Sequence, residues 1–324
     1  MRVTFINVGY GDSILFQAKD GYTMLLDGGS NLPQEFAGDA FRIRSVDYLQ
    51  QQGIRHIDAV VISHIHEDHV CGLEPILEKI PADAFYVPYP VEPFLSGRDL
   101  RPEATAARSV PLYTEALNAY RHIISEALAE GKSVHMVKAE DTISLTPDLC
   151  MKVLAPKQQN IDNYMSLLSA AYRTQDPAEI TALLAKLDAT SNATSLLLHI
   201  KAEDTVYLMA ADCCPREWES VPTSLLENVN VLKLPHHGQA DAVDEEIMKR
   251  MPLKFVVTTA SSDRRYNSAN PAVYETLCAI RSKEPPRFLF TDEREYPPYF
   301  SQPEGFHAVV LEKKRGALTV SFSR

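Results

Sequence analysis

The chain has 324 residues, 45% of them hydrophobic and 23% charged, with a formal net charge of −11. That composition suits a soluble globular protein with a core of real size, in one large domain or two small ones. The acidic excess disfavours a long polyanion such as nucleic acid, whose binding draws on a basic surface, and favours a small or short substrate.

Taken in chain order, RVTFINV, SILFQA and YTMLLD read as three short strands separated by the glycine turns GYGD and KDGY. The apolar run at the start is broken by Asn7, Gly9, Gly11 and Asp12, so it reads as neither a leader nor a membrane span. No later stretch approaches twenty apolar residues. The expectation is a cytoplasmic protein without membrane contact. A helical stretch is expected near Asp39–Gln52, then the strand IDAVVIS, a helix at GLEPILEKI and the strand AFYVPYP. Residues 90–110 read as a loop. A helix follows, with Leu117, Tyr120, Ile124 and Leu128 along one face. Strands are expected at SVHMV, DTISL and LCMKVLAP, and residues 157–190 read as a helical insertion. The closing third alternates the strands TSLLLHI, TVYLMAAD, NVNVLKLP, LKFVVTT, RFLFT, HAVVLE and ALTVSF with helices near Glu217–Glu227, Ala242–Arg250 and Pro271–Ser282. With no repeat and no linker, a single domain over 1–324 is the economical reading. The alternation is that of a layered α/β fold.

Five cysteines, Cys71, Cys150, Cys213, Cys214 and Cys278, are scattered and odd in number. No CxxC spacing points to structural zinc, and the adjacent pair is a poor disulfide, so reduced thiols are expected. The chemistry lies instead in SHIHEDHVCGL, where His64, His66, Asp68 and His69 fall within six positions directly after a buried-type strand. His64 and His66 alternate along extended backbone and could share one ion, with Asp68 and His69 turned toward another. Imidazole and carboxylate suit Zn²⁺, with Mn²⁺ or Fe²⁺ as alternatives. A polar loop whose histidines cap the next helix would explain one of these residues, not four.

HIHEDH matches the HxHxDH signature of the metallo-β-lactamase superfamily, which the chain resembles. NVGYGDSILF…MLLDGG, NATSLLLHI…VYLMAAD, LKLPHHG, SSDRRYNSANPAVYETL and RFLFTDE recur in the same order in one branch. That branch includes the C-terminal domains of DNA-uptake competence channel proteins and the phosphorylcholine esterases. The resemblance implies a four-layer αββα sandwich with two divalent metal ions between the sheet edges. It implies His64, His66 and Asp212 on the first ion and Asp68, His69, Asp212 and His237 on the second, with Asp27 orienting a ligand histidine. Asp212 is expected to end the strand VYLMAAD, with Ala211 where the family has glycine. His236 would face the substrate, although the two histidines of PHHG could exchange roles. The third histidine that many members give the first ion is missing, leaving water or Asn192 to complete it. Asn270 stands where the branch has histidine, which weakens the transfer of a nuclease activity.

Two ions about 3.5–4 Å apart can share a hydroxide and stabilise both attacking and leaving oxygens. Asp68 could orient it or pass a proton, and His236 is the other candidate catalytic group. No GxSxG elbow or catalytic cysteine setting competes, and no GK[ST] follows the early glycines. The leading expectation is a phosphodiesterase, with Arg264 or Arg265 clamping a phosphate and Asn192 and Asn270 nearby. A lactonase, thioesterase or lactamase is the alternative. A non-catalytic metal-stabilised interaction module is the third reading. Substrate, oligomeric state and the use of the insertion are open at this level.

Overall fold

The computed structural model describes residues 1–281, 283–292 and 298–324. Its strands are β1 (Arg2–Ile6), β2 (Ile14–Gln17), β3 (Thr23–Leu26), β4 (Ile57–Val61), β5 (Ala82–Val87), β6 (Ser133–Met136), β7 (Thr142–Thr146), β8 (Leu149–Ala155), β9 (Leu197–Ala202), β10 (Thr205–Met209), β11 (Val231–Lys233), β12 (Phe255–Thr258), β13 (Arg287–Phe290), β14 (Ala308–Lys314) and β15 (Ala317–Ser323). They form two mixed sheets, ordered β15-β14-β1-β2-β3-β4-β5-β6 and β13-β12-β11-β10-β9-β8-β7. Each sheet is antiparallel over one part and parallel over the other. The parallel runs are β3 to β6 in the first sheet and β10 to β13 in the second.

Alternation along the central strands explains the layering. In β10, Tyr207 and Met209 face the core between the sheets, while Val206 and Leu208 face the helices outside. In β4, Ala59 and Val61 point inward and Val60 outward. Strands apolar on both faces must be covered on both faces. Three stacked cores result, one between the sheets and one beneath each outer helical layer. This is a four-layer αββα sandwich, the metallo-β-lactamase fold.

Several boundaries differ from the sequence reading. The 90–110 stretch is not wholly loop, because Glu92–Leu95 forms a short helix whose Phe94 is buried. The helix expected near Asp39–Gln52 begins at Ser45, since residues 37–44 leave helical backbone after the short turn Pro33–Phe36. The expected insertion consists of the helices Gln158–Arg173 and Pro177–Ser191, which pack into the same outer core as the long helix Ser109–Ala129. The last expected helix spans Pro271–Ile280; Ser282, and Glu293 of the quoted RFLFTDE stretch, lie outside the described residues. Among the described residues no helix is long and apolar enough to cross a membrane.

Candidate metal centre

The parallel registers bring distant motif residues to one edge. Leu26 pairs with Val61, and the Asp27 amide donates to the Val61 carbonyl at 2.9 Å, so Asp27 and Ser63 leave neighbouring strands side by side. In the second sheet Met209 pairs with Lys233, and Lys233 with Val257, so the loops after β10 and β11 emerge together. The carboxyl ends of parallel strands are where such architectures gather their sites.

Asp212 does not end a strand, contrary to the sequence reading. β10 stops at Met209, and Ala211 turns the chain with φ of 42°, in the left-handed region a glycine would enter freely. Its carbonyl is then captured by the amide of His236 at 2.9 Å and the ammonium of Lys233 at 3.0 Å. His236 and His237 take φ of 49° and 52°. His237 is fully buried among the ligating groups, and His236 lines the open cleft. Of the two PHHG histidines, the second therefore faces the centre. Gly11, with φ of 137°, lies where a Cβ would come 2.4 Å from the Asp68 carbonyl, which accepts the Asp12 amide. Only glycine lets the first turn lie against the histidine loop.

Two overlapping triads, Asp68 with His69 and His237, and His64 with His69 and Asp212, each offer ligand atoms that all lie within 4.8 Å of one another. Oδ2 of Asp68 is 3.7 Å from Nε2 of His69 and 3.0 Å from Nε2 of His237, and Oδ1 of Asp212 is 3.4 Å from each of the same two nitrogens. Ligand bonds of about 2.0–2.1 Å in a tetrahedron imply ligand separations of about 3.3–3.4 Å. Nε2 of His69, Oδ1 of Asp212 and Nε2 of His237 are all buried and make no hydrogen bond. Buried polar atoms left this way in a native protein call for a missing partner. A divalent cation fits the donor set and the spacing.

Beside it, Nε2 of His64 lies 3.0 Å from Nδ1 of His66 and 3.8 Å from Oδ2 of Asp212. His64 and Asp212 could contribute to another cation site, with His66 adjoining it through His64. Asn192 lines the same cleft, and its buried Oδ1 has no hydrogen-bond partner. The titration pattern agrees with a demand for positive charge. Burial would drive His69 toward neutral, yet Asp68 and Asp212 outweigh it and raise its pKa. Burial opposes ionisation of Asp212, but His237 and His69 hold it well below the usual carboxylate range.

The surrounding shell contains groups that sequence reading singled out and others it passed over. Asp27 accepts from the Ser63 amide at 2.8 Å, from Ser63 Oγ at 2.6 Å and from Nδ1 of His69 at 2.9 Å. Ser63, whose Oγ lies 3.0 Å from Nδ1 of His64, had as its only sequence signal its place immediately before the histidine motif. Asp12 was read as a turn residue, but it is buried, accepts from Thr259 Oγ1 at 2.5 Å and forms an ion pair with the fully buried Lys233. Asp188, from the helix Pro177–Ser191, lies 3.3 Å from Nε2 of His66. Glu67 lines the cleft, accepts from Ser30 Oγ and the Asn31 amide, and is pushed up to about 7 by burial and by Asp68.

Three expected substrate contacts are corrected. Arg265 faces the cleft, but its guanidinium is bound in a two-pronged ion pair to the buried Glu35 and also to Asp263, which leaves no free fork for a phosphate. Asn270 is the N-cap of the helix Pro271–Ile280, accepting from the Ala272 amide at 3.0 Å, and does not line the cleft. Arg264 is likewise outside the cleft lining. His56, His122, His135, His199 and His307 make contacts elsewhere, with Asp83, Asp99, Tyr86, Asn228 and the Phe41 carbonyl respectively.

Residues 6–125 match the family model described as the metallo-beta-lactamase superfamily. Over that stretch, 120 of the 324 residues, the chain is similar to that superfamily. The matched superfamily is one of metallo-enzymes by its description, and its fold implies divalent metal ions. ComE operon protein 3 of Bacillus subtilis (strain 168) is 22% identical over 289 residues, covering 85% of this chain and 30% of that protein. The chain thus spans under a third of that relative's length. Among solved structures, the Igni18 metallo hydrolase of Ignicoccus hospitalis is 12% identical, covering 97% of this chain and 100% of that one, with a TM-score of 0.45. Zn²⁺-bound PqqB of Methylobacterium extorquens is 11% identical, covering 90% and 97%, with a TM-score of 0.48.

Proposed function

We propose that the chain is a phosphodiesterase with two divalent cations, Zn²⁺ by donor chemistry, acting on a small or short substrate. The observation that carries the metal reading is the set of converging donor atoms around Asp212, three of them buried without partners. Asp68, His69, Asp212 and His237 would hold one cation, and His64, His66 and Asp212 the other, with Asn192 Oδ1 in reach. Bound there, the pair supplies Lewis acidity and a water of lowered pKa. The chain's own groups do the rest. Asp27, Ser63 and Thr259 hold the ligand histidines in the tautomer that leaves the inner nitrogen free. His236 lines the cleft with Nε2 beside the side-chain amides of Asn192 at 3.2 Å and Gln239 at 3.0 Å, and would meet the substrate or its leaving oxygen by exchanging those contacts.

The phosphoryl reading draws on the sequence resemblance and on Arg108. That arginine is exposed, lines the cleft of about 520 Å³ and makes no ion pair or side-chain hydrogen bond among the described residues. An unpaired guanidinium in the lining of that cleft suits an anionic substrate. The acyl-hydrolase alternative is favoured by one observation, the engagement of Arg265 with Glu35, which removes the expected phosphate clamp.

A panel of aryl phosphodiesters, lactones and thioesters, assayed with zinc or manganese, separates the readings. Phosphodiester turnover abolished by chelator, lowered at least about a thousandfold (~4 kcal/mol) by Asp212→Asn and raised in KM by Arg108→Ala supports the proposal. Turnover confined to acyl substrates selects the alternative, and a metal-loaded protein inert toward both classes defeats the enzymatic reading.

A further inference from the structure

Every imidazole at the centre needs its outer nitrogen held so that the inner one stays free for a cation. His64 is held through Nδ1 by Ser63 Oγ at 3.0 Å, His69 through Nδ1 by Asp27 at 2.9 Å, and His237 donates from Nδ1 to the Thr259 carbonyl at 2.7 Å. Those holders belong to the strand ends of the two sheets. His66 differs. Its outer nitrogen, Nε2, lies 3.3 Å from Oδ1 and 3.4 Å from the carbonyl of Asp188, and both come from the helix Pro177–Ser191.

That helix is fixed against the body at two levels. Leu183, Leu184 and Leu187 are buried in the outer core. One turn past Asp188, Ser191 Oγ donates to the carbonyl of Ile65, the residue before His66. His66 is also the one centre histidine with an appreciably exposed side chain, 18% against 0% for His64, His69 and His237. Packing that immobilises the other rings is weaker here. An imidazole free to flip would present the wrong nitrogen or the wrong tautomer half of the time.

We propose that Asp188 is the positioning residue of the first cation site, the one formed by His64, His66 and Asp212. Through it the helical pair spanning 158–191 sets the occupancy of that site separately from the second. This rests on the two-cation reading above. The helical pair is then an integral part of the centre, supplying to His66 what the sheet ends supply to His64, His69 and His237.

The test is metal binding to the full chain, measured by calorimetric titration with Zn²⁺ and by ¹⁵N-histidine NMR, which reports tautomers without turnover. Wild type should take two equivalents, with His66 protonated on Nε2. Asp188→Ala should weaken the first-site cation about ten- to a hundredfold, while the second stays within about twofold and serves as the internal control for folding. Asp188→Asn, whose side-chain oxygen can still accept from Nε2–H, should fall between the two and carries the test if the alanine variant melts early. Lys186→Ala, exposed on the same helix, should change neither site. Two unchanged affinities in Asp188→Ala and Asp188→Asn, or loss of both equivalents in Asp188→Asn folded as stably as wild type, overturn this proposal alone. A wild-type protein that takes one cation and leaves the His66 ring unperturbed overturns the two-cation reading with it.

Discussion

Replacing Asp27 with asparagine should damage the centre by one of two routes, and the structure sets the size of each. Three donors converge on this buried carboxylate: the Ser63 amide on Oδ1, and Ser63 Oγ and His69 Nδ1 on Oδ2. If the new amide nitrogen takes the Oδ1 place, it meets the Ser63 N–H donor to donor. A buried backbone donor then goes unpaired, at about 1–3 kcal/mol. With an unfolding entropy of ~2.1 cal/mol/K per residue over 324 residues, or ~0.7 kcal/mol/K, that lowers the metal-free melting temperature by about 1.5–4 °C. If the nitrogen takes the Oδ2 place, His69 must shift its proton to Nε2, the nitrogen facing the cation. Affinity at the second site then falls about ten- to a hundredfold, or ~1.4–2.7 kcal/mol. Calorimetry of the chelated protein reads the first route, and competition with a chromophoric zinc chelator reads the second. A variant that melts within 1 °C of wild type and binds zinc within about twofold would refute the reasoning.

Other outcomes follow from the same geometry. Lys233→Met strands the Asp12 carboxylate in the interior and should cost about 3–5 kcal/mol, or ~4–7 °C, with more than half recovered when Asp12→Asn is added; thermal unfolding of the cycle decides, and additive losses would deny the pairing. Saturating zinc at about a hundred times its Kd should raise the melting temperature over the chelated protein by roughly 4 °C, from ~2.7 kcal/mol of linkage, and a shift near zero would contradict a native metal centre. Thiol titration at pH 8 should label Cys150 and Cys278 well before Cys71, Cys213 and Cys214. The latter three are buried, and burial pushes the Cys213 thiol up to about 12, leaving about one molecule in ten thousand as thiolate; mass mapping after brief alkylation checks the order.

The histidine motif was legible because His64, His66, Asp68 and His69 stand at close spacing beside a buried strand, whereas Asp212 and PHHG were picked out only through the family resemblance. The layered fold was legible for a related reason, since strands apolar on both faces require cover on both. Partners fixed by tertiary approach were not legible. Asp12 and Lys233 are 221 positions apart and meet only because the first turn of one sheet faces β11 of the other. Asp188 sits in a helix whose sequence pattern announces packing and nothing more. Arg265 was read as a phosphate clamp because a loop arginine shows no partner in sequence, while Glu35 arrives from the opposite end of the chain. Asp212 was placed at the end of the strand VYLMAAD by the family resemblance, yet the strand stops earlier and Ala211 bends as the family's glycine would.

The donors proposed for the second cation come from both halves of the sandwich, Asp68 and His69 from the short helix Glu67–Val70 after β4 and Asp212 and His237 from the turns after β10 and β11. A cation held there would act as a rivet through two plates that otherwise meet by apolar packing and a few polar ties such as Asp12 with Lys233 and Thr259. Parting the sheets would first require its release. Amide protons on β4 and β10 should then exchange together, at a rate that follows free zinc, while those of the edge strand β15 exchange independently of it. Assembly runs under the same constraint. Until His237 and the strand before it have joined the first half, no partial fold holds all four donors, so stable metal uptake reports that the two plates have met.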